Sequence, residues 1–403
     1  MMHNMDNAKK FVFDRLYCPL THLIYDYVTG DGEDGCIRHL PTPEEIQNDI
    51  PNPCSWGVGM EDSVLNGTSM IEACLAEYAV TKNEALRETV ADLFRGLYLC
   101  ATVAEERGFL ARSVHPLDQR SHYSNSSRDQ YTHWVYAGVR LYDSSLATEE
   151  MKAKIREVLV SFAERADRDV RPENNNSLLR TDGKPAFCCE MLPPLEPHEC
   201  MRLPMIYLGA YRVTGDPHWL AKYREHRDWA LEGSERVKPD GYPWAYCVLQ
   251  MQYSLRLVWE TEEEEPYKSR LAALMARVAE GAAVYSKKTA DAFLGQENPD
   301  TGITKFPEWR SYPHSYYFGK PLYGKAFLVP EVYRENPERQ ILRNGAEAMI
   351  IHTLCPDRPI PEGEAREFAT LAERLDFSKA SNYWPVLWID AYWLLRALGA
   401  VDA

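Results

Sequence analysis

No stretch of the chain approaches the roughly 18 consecutive apolar residues that a membrane-spanning helix needs, so no span is expected. The segment from Met1 to Lys10 is polar and has no apolar core of the secretory type, so no signal peptide is read in it, although a mature protein trimmed of one would look the same. Basic residues are in deficit: 45 Lys and Arg stand against 60 Asp and Glu, a formal net charge of −15. That balance excludes nucleic acid as the main partner, because binding phosphates requires a basic face. Also missing are GxGxxG after a strand, GxxxxGK[ST], HExxH and GxSxG, which removes the dinucleotide, P-loop, zincin and hydrolase-elbow readings. The ten cysteines include no CxxC pair and no Cys/His set at zinc spacing, so no metal and no cofactor is expected. Cys74, Cys100 and Cys247 lie in apolar helical stretches where a thiol packs as a small hydrophobe, and the adjacent Cys188 and Cys189 suit no disulfide framework. The expectation is reduced thiols and a cytoplasmic location, with one or two bridges and a periplasmic location as the alternative for an exported, trimmed form.

What is present is ordinary globular material, 45% hydrophobic and 26% charged, and a degenerate repeat. An apolar helix end with an aromatic residue, a short polar turn and a new helix recur at AEYAVTKNEAL (Tyr78), VRLYDSSLATEEM (Tyr142), GAYRVTGDPHWL (Tyr211), LRLVWETEEEEPY (Trp259) and PEVYRENPERQIL (Tyr333). The turns carry helix-start chemistry in Asn83, Thr148, Asp216-Pro217, Glu265-Pro266 and Asn336-Pro337. First helices such as LPMIYLGAYRV are apolar all round, and second helices such as MKAKIREVLVSFAERADR are amphipathic, which predicts inner and outer members of a hairpin. YWPVLWIDAYWLLRALGA reads as a last inner helix, partnered by the N-terminal FVFDRLYCPLTHLIYDYV. About six hairpins over residues 1–403 predict one all-α (α/α)6 toroid without a major sheet. The long connections 109–127, 171–198, 289–318 and 356–380 should gather at the end where the inner helices begin, and long loops in a compact fold usually serve function.

Four of those entrances are polar. The first is Trp56-Gly57-Val58-Gly59-Met60-Glu61-Asp62-Ser63, where the glycines let backbone approach closely and Trp56 adds a flat face. The second and densest runs from Arg120 through His122, Tyr123, Asn125, Arg128, Asp129, Gln130 and His133 to Trp134. Helix capping explains one Ser and one Asp there, and leaves two Arg and two His unexplained. The third spans Glu190 to Glu199, and the fourth is Trp309, Arg310, His314, Tyr316 and Tyr317. Trp244 is a further loop aromatic suited to a sugar face. Asp62 and Asp129 sit at equivalent places on successive hairpins, 67 residues apart, so adjacent inner helices would bring both carboxylates to one cleft. Two carboxylates across a cleft are the minimum for glycosidic acid/base chemistry, with Glu61 in reserve. His314 and Tyr316 could instead serve a lyase, which needs a base near a uronate C5 and a residue to neutralise the carboxylate.

WGVGMEDSVLNG and HYSNSSRDQYTHWVYAG, with the hairpin organisation of residues 55–400, resemble the six-hairpin glycosidase superfamily. They look like segments of bacterial glycoside hydrolases of the β-glucuronidase-like kind. The arrangement is also similar to unsaturated glucuronyl hydrolases, which use two aspartates at inner-helix starts one hairpin apart. The resemblance implies an oligosaccharide substrate carrying a uronic acid and Asp62 and Asp129 as the pair; from the polar entrances themselves, Arg120, Arg128, His122 and Arg310 would bind a carboxylate or hydroxyls. Trp56, Trp134, Trp309 and Tyr316 would line the floor. Sugar 2-epimerases share the toroid, and that reading rests on His122, His314 and His352. A glycan-binding scaffold is the reading without catalysis.

Overall fold

The computed structural model describes residues 2–30, 37–296, 308–316, 328–330 and 337–401. Six helices stand in an inner ring: α3 (Ser63–Thr81), α5 (Arg128–Asp143), α7 (Arg202–Thr214), α9 (Tyr246–Thr261), α11 (Pro337–Leu354) and α13 (Trp384–Ala397). Each packs on the next, and α13 packs on α3, so the ring closes on itself. Outside it lie α4 (Leu86–Thr102), α6 (Glu149–Asp169), α8 (Pro217–Ser234), α10 (Glu265–Phe293), α12 (Glu362–Arg374) and α1 (Met2–Phe11). The arrangement is an (α/α)6 toroid.

Burial follows composition. Fourteen of the residues of α3 are buried, against a one-sided stripe in α4 (Val90, Leu93, Phe94, Leu97, Cys100). An inner helix is covered by two ring neighbours and an outer partner, whereas an outer helix keeps a wet face. Trp384 and Trp388 of α13 are fully buried, and Trp388 stacks on Phe368 of α12 with ring centroids 4.5 Å apart. Side chains of that size are each worth roughly 2–3 kcal/mol of burial. Two of the tight turns are capped as the sequence implies, Thr148 accepting from the Met151 amide and Asp216 from that of His218, whereas Glu265 lies inside α10 and its N-cap, Glu264, makes no side-chain cap; Asn336 lies outside the described residues.

Three expectations need correction. The outer partner of α13 is α1, not residues 11–28. Pro19 cannot continue a helix, and after a short π-turn at Val12–Leu16 the chain instead pairs β1 (Tyr17–Cys18) with β2 (Leu23–Ile24). The connection 356–380 holds a helix, α12, whose Ala365, Phe368, Leu371 and Ala372 form a buried stripe. Pro337 opens an inner helix rather than an outer one.

The inner helices all start at one end, where the longer connections lie. There β3 (Ser177–Leu179) pairs with β4 (Pro185–Glu190), β5 (His314–Tyr316) with β6 (Leu328–Pro330), and a short α2 (Pro43–Gln47) is closed by a Thr42/Glu45 capping box. Among the described residues no helix is long and apolar enough to cross a membrane.

Candidate active site

Asp62 is the N-cap of α3, and its side chain leaves the helix to face the neighbouring elements. Asp62 makes no side-chain cap to α3, and Asp26 accepts the Glu61 and Asp62 amides at 2.6 and 2.9 Å, fixing the backbone just ahead of the helix. The Asp62 carboxylate bonds to side chains instead of to its own helix. Its Oδ1 accepts from Gln130 Nε2 at 3.2 Å and from Arg112 Nη2 at 3.4 Å, and its Oδ2 accepts from the Tyr383 hydroxyl at 3.2 Å. Arg112 also lies 3.3 Å from a Glu61 carboxylate oxygen and donates to the Glu61 carbonyl at 2.8 Å.

On α5, Ser127 is the cap, accepting from the Gln130 amide, so Asp129 is likewise released from capping. Arg202, at the start of α7, donates to Asp129 Oδ1 and, at 3.0 Å, to Gln250 Oε1 on α9. Burial pushes the Asp129 carboxyl up, but the charge and hydrogen bond of Arg202, with the charges of Arg128 and Arg112, outweigh it and hold it at about 2. A third of the Asp129 side chain remains exposed, against 8% for Asp62, so solvent meets the site at Asp129.

The contacts continue round the toroid. Arg343 of α11 pairs with Glu347 at 2.6 Å, donates to the Tyr383 hydroxyl, and lies 5.1 Å above the Tyr246 ring at the start of α9. Asn344 accepts the Ala245 amide at 2.9 Å. From Asp62 to Gln130 and Asp129, Arg202, Gln250, Tyr246, Arg343 and Tyr383, one polar ring takes a member from each inner helix or its N-cap. Beneath it His133 meets Tyr253 edge-on at 5.0 Å, and Tyr253 lies against Tyr136 at 4.6 Å. Burial pushes the His133 imidazole down to about 3. His198, edge-on to Tyr242 beside Arg202, is also held at about 3 by burial and then by that cation.

The structure gathers Asp62, Glu61, Asp129, Gln130 and His133 as the sequence implies. Arg128 has a different job: it donates to the Glu190 carbonyl at 2.8 Å, to a Glu190 carboxylate oxygen at 3.0 Å, and to Glu199. It is bound by two carboxylates rather than presented to a ligand. Asn125 is fully buried, exchanging hydrogen bonds with the backbone of Phe187 and so fastening β4 to the α5 entrance. Tyr123 is buried and donates to the Ile50 carbonyl. Arg120 is exposed, and His122 packs on Phe109 at 5.6 Å. Trp134 points out of the ring, its indole N–H on the Leu97 carbonyl of α4.

Trp56 is buried with Cys54, Phe187 and Val329. The close approach that Gly59 permits is to His39 and Leu40: a Cβ there would sit 2.6 Å from the imidazole at a φ of +90°. Trp309 is buried with its N–H on the His39 carbonyl, and Arg310 pairs with Glu45 and Glu308. Trp244 and Tyr316 are exposed, and His314 lies edge-on to Trp309. Tyr317 lies outside the described residues. His352 faces Glu364 of α12, so His122, His314 and His352 sit among three different sets of neighbours.

Sequence reading missed Arg112, Arg202, Gln250, Arg343, Glu347 and Asp26, and took Tyr383 only as a loop aromatic suited to a sugar face. Most had one available signal: a charged or amide side chain inside a helix whose apolar neighbours mark it as inner has to find a partner in the lumen.

No protein-family model and no curated protein matches the chain. Among solved structures it is similar to a glycoside hydrolase family 76 (mannosidase) protein from Bacteroides thetaiotaomicron, with 11% identity, 98% of this chain and 99% of that one covered, and a TM-score of 0.48. It is also similar to a mutant of Rex8A from Paenibacillus barcinonensis complexed with xylose, at 12% identity, 90% and 95% coverage and a TM-score of 0.43. A reducing end xylose-releasing exo-oligoxylanase aligns at 13% identity, 90% and 93% coverage and a TM-score of 0.41.

Proposed function

We propose that the chain is a glycoside hydrolase acting on an oligosaccharide, with Asp62 and Asp129 as its working carboxylates. The observation that carries this is a pair of aspartates at adjacent inner-helix starts, neither capping its own helix, both held by guanidinium groups, and one open to solvent. Asp129, held at about 2, is ionised across the neutral range and so serves as general base or nucleophile rather than proton donor. The second working carboxylate is then on the Glu61–Asp62 side of the cleft.

The finer expectation, a uronic acid, rested on Arg120 and Arg128. Arg128 is bound to Glu190 and Glu199, and Arg120 is exposed away from the ring contacts. Around the described site, Arg112, Arg128, Arg202 and Arg343 stand among Asp26, Glu61, Asp62, Asp129, Glu190, Glu199 and Glu347, while His133 and His198 stay neutral. Such a surplus of carboxylates disfavours an anionic ligand. We therefore read the sugar as uncharged, with the uronic acid as the alternative.

The test is a panel of 4-nitrophenyl glycosides and reduced oligosaccharides, neutral and uronic, followed by reducing-end analysis and absorbance near 235 nm. Hydrolysis of a neutral glycoside, lost roughly a thousandfold or more in Asp129→Asn with binding retained, is the expected result. Preference for the uronoside would restore the sequence expectation. An unsaturated product would make the protein a lyase, and glycan binding with no turnover a scaffold.

A further inference from the structure

Tyr383 lies at the seam where the ring closes. It is the N-cap of α13, next to Asp62, the N-cap of α3, and these two helices are the first and last of the inner ring. The seam does not depend on the phenol. The Tyr383 amide donates to the Asp26 carbonyl at 3.0 Å, the Val28 amide to the Ser381 carbonyl at 2.8 Å, and Tyr27 and Asn382 form a bridge. Beside these, α3 and α13 pack along their lengths.

The hydroxyl is therefore surplus to the fold, yet its surroundings are specified. Glu347 holds Arg343 at 2.6 Å, Arg343 donates to the phenol oxygen, and the phenol donates to Asp62 Oδ2 at 3.2 Å. Because the guanidinium occupies an acceptor lone pair of the phenol, the single phenolic proton is directed to Asp62. Gln130 and Arg112 fasten the other oxygen, Oδ1. The carboxylate plane is thus fixed from both sides, and Oδ2 is the oxygen whose only described side-chain contact is with a hydroxyl.

We propose that Tyr383 is the positioning residue for Asp62, held to that task by Arg343 and Glu347, and that it orients Oδ2 for the reaction. This rests on the reading of Asp62 as a working carboxylate. The measurement uses the full chain and the 4-nitrophenyl glycoside that the wild type turns over fastest. Tyr383→Phe should lower kcat about tenfold, the worth of one well-placed hydrogen bond, and leave KM within about twofold. Helical circular dichroism and the melting temperature should be retained. Combined with Asp62→Asn, whose residual rate an activated aryl leaving group keeps measurable, Tyr383→Phe should cost nothing further, because its partner is already gone. Arg343→Lys, which keeps a cation but loses the fork, should lower kcat in the same direction. An unchanged kcat in Tyr383→Phe, or an equal loss with Asp62 present and absent, would overturn the proposal. Full activity in Asp62→Asn would overturn the carboxylate reading itself, a result distinct from either.

Discussion

The two ends of the lumen use the same residue types to opposite effect. At the open end, Asp62 and Asp129 sit among Arg112, Arg202 and Arg343 and are bound on their carboxylate oxygens. Ten residues further along α3, about 15 Å deeper, stands Glu72, and on α13 below Tyr383 stands Asp390. Asp390 is completely buried, and neither of its oxygens has a hydrogen-bond partner. Burial, then the nearby charge of Glu72, pushes its carboxyl well above the usual range, with Arg140 opposing. Burial likewise pushes Glu72 up to about 7, against the pull of Arg140 at 3.4 Å. His133, Tyr253 and Tyr136 fill the space between. Depth alone does not decide the state of a carboxylate here; the number of donors aimed at it does.

The largest test of that contrast is Arg202→Met. Arg202 is almost fully buried and serves both Asp129 and Gln250, so its loss strands an ionised carboxylate. We expect kcat/KM to fall roughly a hundredfold or more. The acidic limb of its pH profile should move up from about 2 towards the ordinary carboxylate range, because removing the cation removes what holds Asp129 low. Stability should fall by about 1–2 kcal/mol, less than for a fully enclosed pair because Asp129 is a third exposed. A variant with wild-type kinetics would show that the open end is not organised around its guanidinium groups.

The second test is Asp390→Asn, which should raise stability and leave kcat alone. The sign follows from linkage. A carboxyl whose folded pKa lies above its unfolded value holds its proton in the native state. It therefore costs stability as pH rises beyond the unfolded value near 4. Asparagine keeps the shape without the charge, so urea unfolding should show a gain of about 1–2 kcal/mol at pH 7 that disappears near pH 4. A loss of stability at pH 7 would mean that Asp390 is ionised and paired.

How far these features could be read beforehand differs between backbone and side chains. The toroid was legible because an all-round apolar helix such as LPMIYLGAYRV has to be enclosed, and a one-sided helix such as α6 does not. That Asp62 and Asp129 would share one polar ring was legible because both stand at helix starts one hairpin apart. Arg128 was misread because its partners, Glu190 and Glu199, reach it across the β4 connection, and sequence spacing carries no such pairing. Tyr383 stayed hidden because its role depends on ring closure, which brings residues 62 and 383 together from opposite ends of the chain. The apolar content of 11–28 favours a helix, but Pro19 cannot continue one, and the chain turns into β1 and β2 there.

The smallest expected effect belongs to Glu72→Gln, and it separates burial from pairing at the lower end. Glu72 holds its proton in the fold up to about pH 7, whereas in the unfolded chain it releases it near 4.5. Between those values the native state binds the extra proton, so stability declines as pH rises and levels off above about 7. Glutamine cannot titrate, and its slope over that window should be flatter by one proton's worth. That slope integrates to about 3 kcal/mol by pH 8, and glutamine gives up the charge-assisted contact with Arg140 that the ionised carboxylate had, so the net gain is on the order of 1 kcal/mol. Denaturant unfolding of both proteins from pH 4.5 to 8 measures the slope directly. Parallel curves would mean that Glu72 titrates alike in both states and that Arg140 compensates its burial in full. The lower end would then be as well matched as the upper, and the contrast between the two would rest on Asp390 alone.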